Sequence, residues 1–341
     1  MSEKILIVGP AWVGDAVMAQ SLYKLLSQLN PDVVIDVVAP AWCEPLLGRM
    51  AEVHRAILMP VRHGELGFLQ RLRIGRELRP NGYAHAIVLP RSMKSALVPY
   101  FARIPLRTGF RGEMRFGLLN DVRVLDKSVL DQTVKRFLAL GLPRGAQLHD
   151  ALWPELEVDT RNVADLRMKL LLGGDGPAVA LMPGAAYGPA KCWPIEYFAE
   201  LAAALISGGT RVWVIGSEAE HAVGEAIRRQ AGDAVRNLCG RTRLEDTVDI
   251  LSMANAAVTN DSGLMHVAAA AGTHVVAIYG SSSAQFTPPL TDRKTVFYLG
   301  LECSPCFERE CPLGHLRCLR DIKPDHVLSG VQEALAAQRS G

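Results

Sequence analysis

Short, almost wholly apolar runs alternate with segments of helical periodicity along this chain. Residues 4–8, 33–38 and 86–89 are apolar except for Lys4 and Asp36, as expected of strands that are buried on both faces of a sheet. Between the first two runs, residues 15–29 repeat apolar side chains along one helical face, and Pro31 ends the pattern. Buried strands that alternate with helices predict an α/β fold with a parallel sheet.

The alternation weakens between about residues 124 and 176 and then starts again. The glycine-rich segment 171–177 has the composition of a linker. Beyond it we predict strands at residues 178–182, 211–215, 256–259 and 275–279, and helices at residues 195–207, 218–231, 244–253, 262–271 and 324–337. A chain of 341 residues is long enough for two cores. We therefore predict two doubly wound, Rossmann-like domains, residues 1–170 and 171–341, that face each other across a cleft.

The composition is that of an ordinary soluble protein, with 49% hydrophobic and 21% charged residues. No segment has the roughly 18 consecutive apolar residues that a membrane span needs. The opening residues run directly into a strand, without the basic and apolar regions of a signal peptide. We therefore expect a cytoplasmic protein.

The net charge is only +2, but the charges are unevenly distributed and the chain contains a basic region. From Arg62 to Arg115 there are eleven lysines and arginines against three glutamates. Such a region favours an anionic partner; the alternative, a solvated helix face, applies above all to the arginines of residues 71–79. The aromatic interleaving of single-strand binders is missing, as are the helix-turn-helix and zinc-finger patterns. We expect an acidic small or lipid-borne substrate and no nucleic acid.

The segment TNDSGLMHVAAAAG follows a short apolar strand and opens a helix. Asp261 and Ser262 stand where N-cap residues belong, and Gly263 follows them. A helix start offers unpaired N–H groups and a partial positive charge, which suit a phosphate. His266 lies four residues beyond Ser262 and shares its helical face. The pattern predicts a cradle for a diphosphate; the alternative is a capped helix whose histidine packs against a neighbour.

The turn after the first strand of the same domain is MPGAAYGPAKCWP. Its glycines, Gly184 among them, let the backbone approach a ligand closely, and Lys191 can neutralise a phosphate as a point charge. A solvated loop lysine is the alternative. Glu218 follows another strand, where a carboxylate either binds ribose hydroxyls or caps its own helix. Thr242 gives a weaker signal for the border of a purine ring.

In the N-terminal domain the corresponding turn is GPAWVGD, which has neither the glycine spacing of a dinucleotide fingerprint nor the lysine of a P-loop. It places Asp15 at the start of a helix that faces the predicted cleft. A helix end keeps a carboxylate ionised, so Asp15 could accept a proton from a substrate hydroxyl. A plain N-cap aspartate is the alternative. Ser262 lacks the G-x-S-x-G context of a hydrolase nucleophile.

Four of the seven cysteines form a cluster near the end of the chain, with the spacing C-x2-C-x4-C-x6-C. They are Cys303, Cys306, Cys311 and Cys318. In a cytoplasmic protein such a group suits a structural zinc ion better than disulfides, although the spacing is not that of a common zinc ribbon. Reduced thiols in a compact loop are the alternative.

With these stretches assembled, the chain resembles the bacterial ADP-heptose:lipopolysaccharide heptosyltransferases of glycosyltransferase family 9, most closely those of the heptosyltransferase II type. The stretches that carry the resemblance include GPAWVGDAVMAQSLY, LPRSMKSALVPYFARIPLRTGFRGEMRFGLLNDVR, MPGAAYGPAKCWP and TNDSGLMHVAAAAGTHVVAIYGSSS. The resemblance implies a GT-B architecture and inverting transfer of L-glycero-D-manno-heptose from ADP-heptose to the first heptose of the inner core, lipid A–Kdo2–heptose. The alternatives are a heptosyltransferase of another step and a nucleotide-sugar-binding protein without turnover.

The resemblance also implies a role for each matching residue. Asp15 would be the general base, and Lys191 would stabilise the leaving diphosphate together with Asp261, Ser262, Gly263 and His266. Glu218 would bind the ribose, and Thr242 would lie at the adenine. The cations that fall in family-like motifs would bind the phosphorylated acceptor: Lys94, Arg111 and Arg115. No acidic pair accompanies the donor motifs, so we expect no catalytic metal or other cofactor. We further expect a monomer at the cytoplasmic face of the inner membrane.

Overall fold

The computed structural model describes residues 3–61, 65–148, 150 and 152–339. Arg62, the first base of the basic region, lies outside the described residues. The chain divides into two compact units, Met1–Pro154 and Glu155–Gly341. The sequence pattern predicts a boundary after residue 170, whereas the segment between the two positions groups with the second unit. One reason is that the backbone N–H of Leu156 donates to the carbonyl of Ala270 at 2.9 Å.

Within the described residues, six parallel strands form the sheet of the first unit, in the order β3-β2-β1-β4-β5-β6. Their bounds are β1 Lys4–Val8, β2 Val34–Pro40, β3 Val53–Met59, β4 His85–Val88, β5 Leu106–Phe110 and β6 Asp121–Arg123. β1 pairs with β2 on one side and with β4 on the other. The chain therefore changes direction across the sheet between β1 and β4, and ligands of doubly wound sheets bind beyond the carboxyl ends of strands at such a switch point.

Helices connect these strands. Their bounds are α1 Val13–Leu29, α2 Glu44–Leu47, α3 Phe68–Leu78, α4 Leu97–Phe101 and α5 Thr133–Gly141. Short 3-10 turns lie at Ala41–Cys43, Arg79–Asn81 and Met93–Ala96. α1 packs against α5, and α3 packs against α4. The predicted helix at residues 15–29 is thus confirmed, with two further residues at its start.

The second unit repeats the arrangement. Within the described residues its parallel sheet has the order β12-β11-β10-β7-β8-β9. The strands are β7 Ala178–Met182, β8 Arg211–Val214, β9 Arg236–Asn237, β10 Ala256–Asn260, β11 His274–Ile278 and β12 Lys294–Phe297. β7 pairs with both β8 and β10, so the switch point of this sheet lies between β7 and β10.

The helices of the second unit are α6 Thr160–Lys169, α7 Ile195–Ser207, α8 His221–Ala231, α9 Leu244–Ser252, α10 Gly263–Ala270, α11 Arg317–Arg320 and α12 Pro324–Arg339. Two 3-10 turns lie at Pro189–Lys191 and Glu218–Glu220. The core buries Trp193 and Phe198 against the sheet and against α12. None of the described helices is both long and apolar enough to cross a membrane.

The predicted α/β class is confirmed, and the central strands lie within a residue or two of their predicted bounds. β3, β5, β6, β9 and β12 are additional. β3 has the sequence VHRAILM and β12 has KTVF; both lie at sheet edges and expose part of their length, so they lack an unbroken apolar run. The predicted helix at residues 218–231 divides into a 3-10 turn and α8, because Ser217 and Glu220 form a capping box at its start.

Candidate active site

The switch point of the second unit brings Lys191 and Asp261 together. Lys191 ends the 3-10 turn after β7, and Asp261 directly follows β10. The Lys191 Nζ and Asp261 Oδ2 atoms are 2.5 Å apart, and both side chains are largely buried. The same ammonium lies 5.1 Å from the centre of the Tyr187 ring. The sequence predicts both residues for one site, and in the described structure the two charges neutralise each other.

Asn260, the last residue of β10, locks the two turns of this site in place. Its Nδ2 donates to the carbonyl of Pro183 at 2.7 Å, and its Oδ1 accepts from the backbone N–H of Trp193 at 3.0 Å. The side chain is fully buried. Sequence reasoning passed over Asn260; the available signal was a buried amide at the end of an otherwise apolar strand. Its two hydrogen bonds fix the spacing of the segments that carry Lys191 and Asp261.

The start of α10 has the geometry of an open anion site. Ser262 is the N-cap residue, and within the described residues its side chain makes no capping hydrogen bond to the helix. Its Oγ lies 3.4 Å from the Oγ1 of Thr259 instead. Because the first-turn N–H groups are not capped by that hydroxyl, they remain available to an oxyanion, together with the partial positive charge of the helix end.

His266 is buried within α10, with 4% of its surface exposed. Burial lowers the pKa of its imidazole from 6.5 to about 4; the nearby Asp261 opposes this effect and Lys191 adds to it. In the described part of the chain its Nδ1 has no hydrogen-bond partner. The imidazole is therefore neutral at pH 7 in the described structure.

Glu218 and Thr242 lie at the same edge of the second sheet, beyond β8 and β9. Glu220, rather than Glu218, caps the turn: its carboxylate accepts from the backbone N–H of Ser217 at 2.7 Å. The Glu218 carboxylate lies against Gly240, where an added Cβ would meet its Oε2 at 1.9 Å. Gly240 therefore lets an exposed carboxylate lie beside the loop that carries Thr242.

Gly184 packs against the glutamate that caps the 3-10 turn after β8. A Cβ at this position would meet the side chain of Glu220 at 2.9 Å. The missing side chain thus makes room for the capping glutamate. The contact between Gly184 and a donor stays a prediction.

Asp15 lies in the first turn of α1, at the carboxyl edge of β1. The N-cap residue of this helix is Trp12, so Asp15 stands three positions inside the helix and is not its N-cap. Its side chain is half-buried. The neighbouring strand at the switch point is β4, and the segment after β4 carries Arg91 and Lys94. The first unit therefore places a carboxylate and a group of cations at the same edge of its sheet.

Arg115 is buried, with 2% of its surface exposed, and its contact with the acceptor stays a prediction. Its Nη1 donates to the carbonyl of Pro90 at 2.7 Å, and its Nη2 donates to the carbonyl of Phe110. Its other hydrogen bonds within the described residues also go to uncharged oxygens, at Ser92 and Ser95. Burial, together with the nearby Arg91, lowers the pKa of the guanidinium to about 10, and Glu113 opposes both effects. Arg115 thus braces the segments after β4 and β5 and contributes a buried positive charge.

The two braced segments also interlock through their backbones. The N–H of Glu113 donates to the carbonyl of Arg91 at 3.2 Å, and the Glu113 carboxylate accepts from the N–H of Met93 at 2.8 Å. At Gly112 an added Cβ would meet the Arg91 carbonyl oxygen at 2.1 Å, so a side chain cannot be accommodated there. This packing fixes the backbone from which Arg91 and Arg111 extend into solvent.

The remaining cations of this edge differ in accessibility. Arg111 is exposed, whereas Lys94 is half-buried and donates to the carbonyl of Glu65 at 3.0 Å. Sequence reasoning did not select Arg91 or Arg136. Arg91 lowers the pKa of both Arg115 and Arg136, so its guanidinium lies close enough to repel each of the other two. Such mutual repulsion favours an anion at this edge.

The cysteine cluster consists of free thiols, with Cys318 buried in α11 and the others partly exposed. Within the described residues, no three His, Cys, Asp or Glu side chains are arranged to hold a metal ion. Four backbone N–H groups lower the pKa of Cys311, and burial raises that of Cys318. The structural zinc ion therefore stays a prediction.

The loop that carries these cysteines packs against the Lys191 turn. The backbone N–H of Ala190 donates to the carbonyl of Arg309 at 3.0 Å, and the Tyr187 hydroxyl donates to the carbonyl of Phe307 at 2.5 Å. A Cβ at Gly188 would meet the Arg309 carbonyl oxygen at 2.5 Å. The cysteine loop thus supports the turn from which Lys191 extends.

The fold and these two groups of residues define a glycosyltransferase of the GT-B type. A family model described as glycosyltransferase family 9 (heptosyltransferase) matches residues 71–317, and the chain belongs to this family. It is 45% identical to the lipopolysaccharide heptosyltransferase 2 of Escherichia coli, over 99% of this chain and 100% of the relative. Identity to the protein of the same name from Salmonella typhimurium is 44%, over 98% and 99% of the two chains.

Solved structures give the same picture. The structure of E. coli ADP-heptose lps heptosyltransferase II superimposes with a TM-score of 0.88 at 43% identity, covering 98% of this chain and 99% of that chain. A glycosyltransferase family 9 protein from Veillonella parvula also has a TM-score of 0.88, at 18% identity and over 99% and 98% of the two chains, which bears on the fold alone.

Proposed function

We propose that this protein is an inverting heptosyltransferase that moves L-glycero-D-manno-heptose from ADP-heptose to the first heptose of the lipopolysaccharide inner core. The Lys191–Asp261 pair beside the start of α10 carries the proposal, because it combines a cation with open N–H groups at a switch point. Similarity over nearly the whole chain to proteins named lipopolysaccharide heptosyltransferase 2 supports the choice of substrate and of reaction step.

The diphosphate of the donor would bind at the start of α10. Its oxygens would accept from the first-turn N–H groups and from the Ser262 hydroxyl. Lys191 would exchange its contact with Asp261 for one with the diphosphate, which gains negative charge as the glycosidic bond breaks. A cation that binds the leaving group more strongly in the transition state than in the ground state accelerates the chemical step.

The other donor contacts would also be made at the carboxyl edge of the second sheet. The exposed Glu218 carboxylate would accept hydrogen bonds from the ribose hydroxyls, and Thr242 would border the adenine. His266, neutral at pH 7, would serve as a hydrogen-bonding group rather than as a charge. Because lysine and helix dipole supply the positive charge, we propose that transfer needs no catalytic metal or other cofactor.

Asp15 would act as the general base. The partial positive charge at the start of α1 keeps its carboxylate ionised, ready to take the proton of the acceptor hydroxyl. The deprotonated oxygen would attack the anomeric carbon on the face opposite to the departing ADP. The configuration at that carbon is then inverted.

The acceptor would bind at the cationic edge of the first unit. Arg91 and Arg111 extend into solvent there, and the buried charge of Arg115 lies behind them. These guanidiniums suit the phosphates of a lipid A core. Because that acceptor is anchored in lipid, we propose that the monomeric enzyme works in the cytoplasm at the surface of the inner membrane.

Product analysis tests this function. The protein is incubated with ADP-heptose and with lipid A–Kdo2 cores that carry no heptose or one heptose. We expect a mass gain of one heptose on the core that already carries one. A gain on the heptose-free core would assign the enzyme to the first step. Binding of ADP-heptose without any product would mark a protein without turnover and overturn the proposal.

A further inference from the structure

A second basic site lies in the first unit, away from the edge that carries Asp15. A cavity of about 440 Å³ is bounded by arginines and by aromatic and aliphatic side chains. Its lining residues are Arg79, Tyr100, Phe101, Arg103, Ile104, Pro105 and Arg107. None of the three arginines has a part in the function proposed above.

The topology puts this cavity at the amino edge of the first sheet. Arg79 follows α3 and precedes β4, whereas Arg103 follows α4 and precedes β5. Strands of a parallel sheet all begin at one edge and end at the other. The cavity therefore lies at the opposite edge from Asp15 and Arg91, which follow the carboxyl ends of β1 and β4.

Main-chain carbonyls orient two of the cavity's guanidiniums. Arg79 Nε donates to the carbonyl of Phe101 at 2.8 Å, and Arg107 donates to the carbonyls of Ile104 and Leu118 at 2.5 and 2.7 Å. Arg103 is exposed and adopts a left-handed backbone with φ of 56°, which is disfavoured for a residue with a side chain. The hydrogen bonds that are described for these arginines go to uncharged oxygens, so their charge remains available to an anion.

Exposed apolar side chains border the cavity. Phe68 opens α3 and packs edge-to-face on Phe101, with ring centres 5.5 Å apart. Leu69, the next residue along the chain, is 72% exposed, and the lining residue Tyr100 and Leu106, which follows Pro105 in sequence, are each more than 40% exposed. A site that binds free phosphate from water does not need exposed apolar side chains around it. Apolar side chains beside arginines match the interface of a bilayer, where the former enter the acyl region and the latter meet phosphates.

We infer that this surface, formed by Phe68, Leu69, Arg79, Tyr100 and Arg103, docks on a bilayer that contains anionic phospholipids, with a headgroup phosphate in the arginine-lined cavity. The inference rests on the proposed function in one respect: a lipid-anchored acceptor requires the enzyme to reach a membrane. It adds the surface that makes the contact. It also leaves the carboxyl edge of the first sheet, at the opposite end of the strands, to the acceptor.

Vesicle co-sedimentation of the full chain tests the inference. The vesicles consist either of phosphatidylcholine alone or of phosphatidylcholine with phosphatidylglycerol. We expect binding to the second kind and a loss of affinity in the double variant Arg79→Glu, Arg103→Glu. Each arginine near an anionic surface contributes about fivefold, so removing two charges lowers the affinity at least about 25-fold.

The matched control is Arg161→Glu, Arg229→Glu, which reverses two exposed arginines of the second unit and changes the net charge equally. We expect it to bind anionic vesicles nearly as the parent protein does. Leu69→Ser, which keeps all charges, should also weaken binding. The inference is overturned if the control loses as much vesicle affinity as the cavity variant, which is the double variant Arg79→Glu, Arg103→Glu. It is also overturned if the cavity variant keeps the vesicle affinity and the unfolding temperature of the parent protein.

Turnover separates this inference from the proposed function. With a deacylated, water-soluble core as acceptor, the cavity variant should match the parent protein; with the same core in anionic vesicles it should be slower. Absence of turnover in the parent protein would refute the proposed function, and vesicle binding would still decide the docking surface. If inorganic phosphate binds at the cavity and the protein does not bind vesicles, the membrane assignment is overturned.

Discussion

The buried imidazole of His266 makes the stability of the second unit depend on pH. Its pKa falls from 6.5 in the unfolded chain to about 4 in the folded protein, chiefly because burial disfavours the charged form. The unfolded chain therefore takes up a proton on acidification before the folded protein does. The stabilisation is complete above pH 6.5 and is lost as the pH falls towards 4.

The size of this effect follows from the pKa difference. At about 1.4 kcal/mol per pKa unit, the change from 6.5 to about 4 corresponds to about 3 kcal/mol. Urea unfolding should be followed by tryptophan fluorescence at several pH values from 7 to 4. Trp193 and Trp213 are the fully buried tryptophans of the described chain, and both lie in the second unit, so the signal reports mainly on that unit.

The variant His266→Gln provides the comparison. It removes the titrating group and keeps a polar side chain of similar length. We expect the free energy of unfolding of the parent protein to fall by about 3 kcal/mol more than that of the variant between pH 7 and pH 4. Parallel pH profiles for the two proteins would refute the reasoning, since the imidazole would then titrate alike in the folded and unfolded states.

Three further changes test separate parts of the account. Asp15→Asn should lower kcat at least about 100-fold, because the base is lost, and leave ADP-heptose affinity in calorimetry unchanged; equal turnover would mean that the proton goes elsewhere. Lys191→Met should weaken ADP-heptose binding and lower kcat together; unchanged kinetics would remove Lys191 from the donor site. Arg115→Leu should cost about 2–5 kcal/mol in urea unfolding, because two buried carbonyls lose their donor, and should raise the KM for the acceptor; a normal KM would separate it from the acceptor edge.

The chain offers a matched control for each of these variants. Asp325 is also a first-turn aspartate, in α12, and Asp325→Asn should leave kcat unchanged. Lys323 lies 5.2 Å from the centre of the Tyr197 ring, much as Lys191 lies over Tyr187, and Lys323→Met should bind ADP-heptose normally. Arg71 is another buried arginine that donates to a carbonyl, and Arg71→Leu should lose stability without a change in acceptor KM.

The sequence allowed prediction of the elements that are buried on both faces. β1 and β7 have their predicted bounds, and α7 does too, because an unbroken apolar run or a complete helical face leaves little choice of structure. Edge strands such as β3 escaped prediction, since solvent on one side permits polar residues among the apolar ones. The whole of α6 escaped as well: Asp159 caps its start locally, but Leu166 is the buried residue described for this helix, so α6 lacks an apolar face.

The candidate site divides in the same way. The local sequence pattern alone predicts a helix start at Asp261 and Ser262. The pairing of Asp261 with Lys191, seventy residues away, depends on the adjacency of β7 and β10. No local sequence pattern reveals this adjacency. Arg115 has the sequence context of an accessible cation, yet it is buried, because it donates to the carbonyl of the distant Pro90 as well as to that of the nearby Phe110.

The central claim is that the donor's pyrophosphate binds where Lys191 meets the start of α10. A crystal structure of the protein with ADP-heptose tests it most directly. We expect pyrophosphate oxygens within hydrogen-bond distance of the Gly263 N–H and of Lys191 Nζ, with the contact between Lys191 and Asp261 lengthened from 2.5 Å. A donor bound elsewhere, or one bound while the Lys191–Asp261 contact stays intact, would contradict the account.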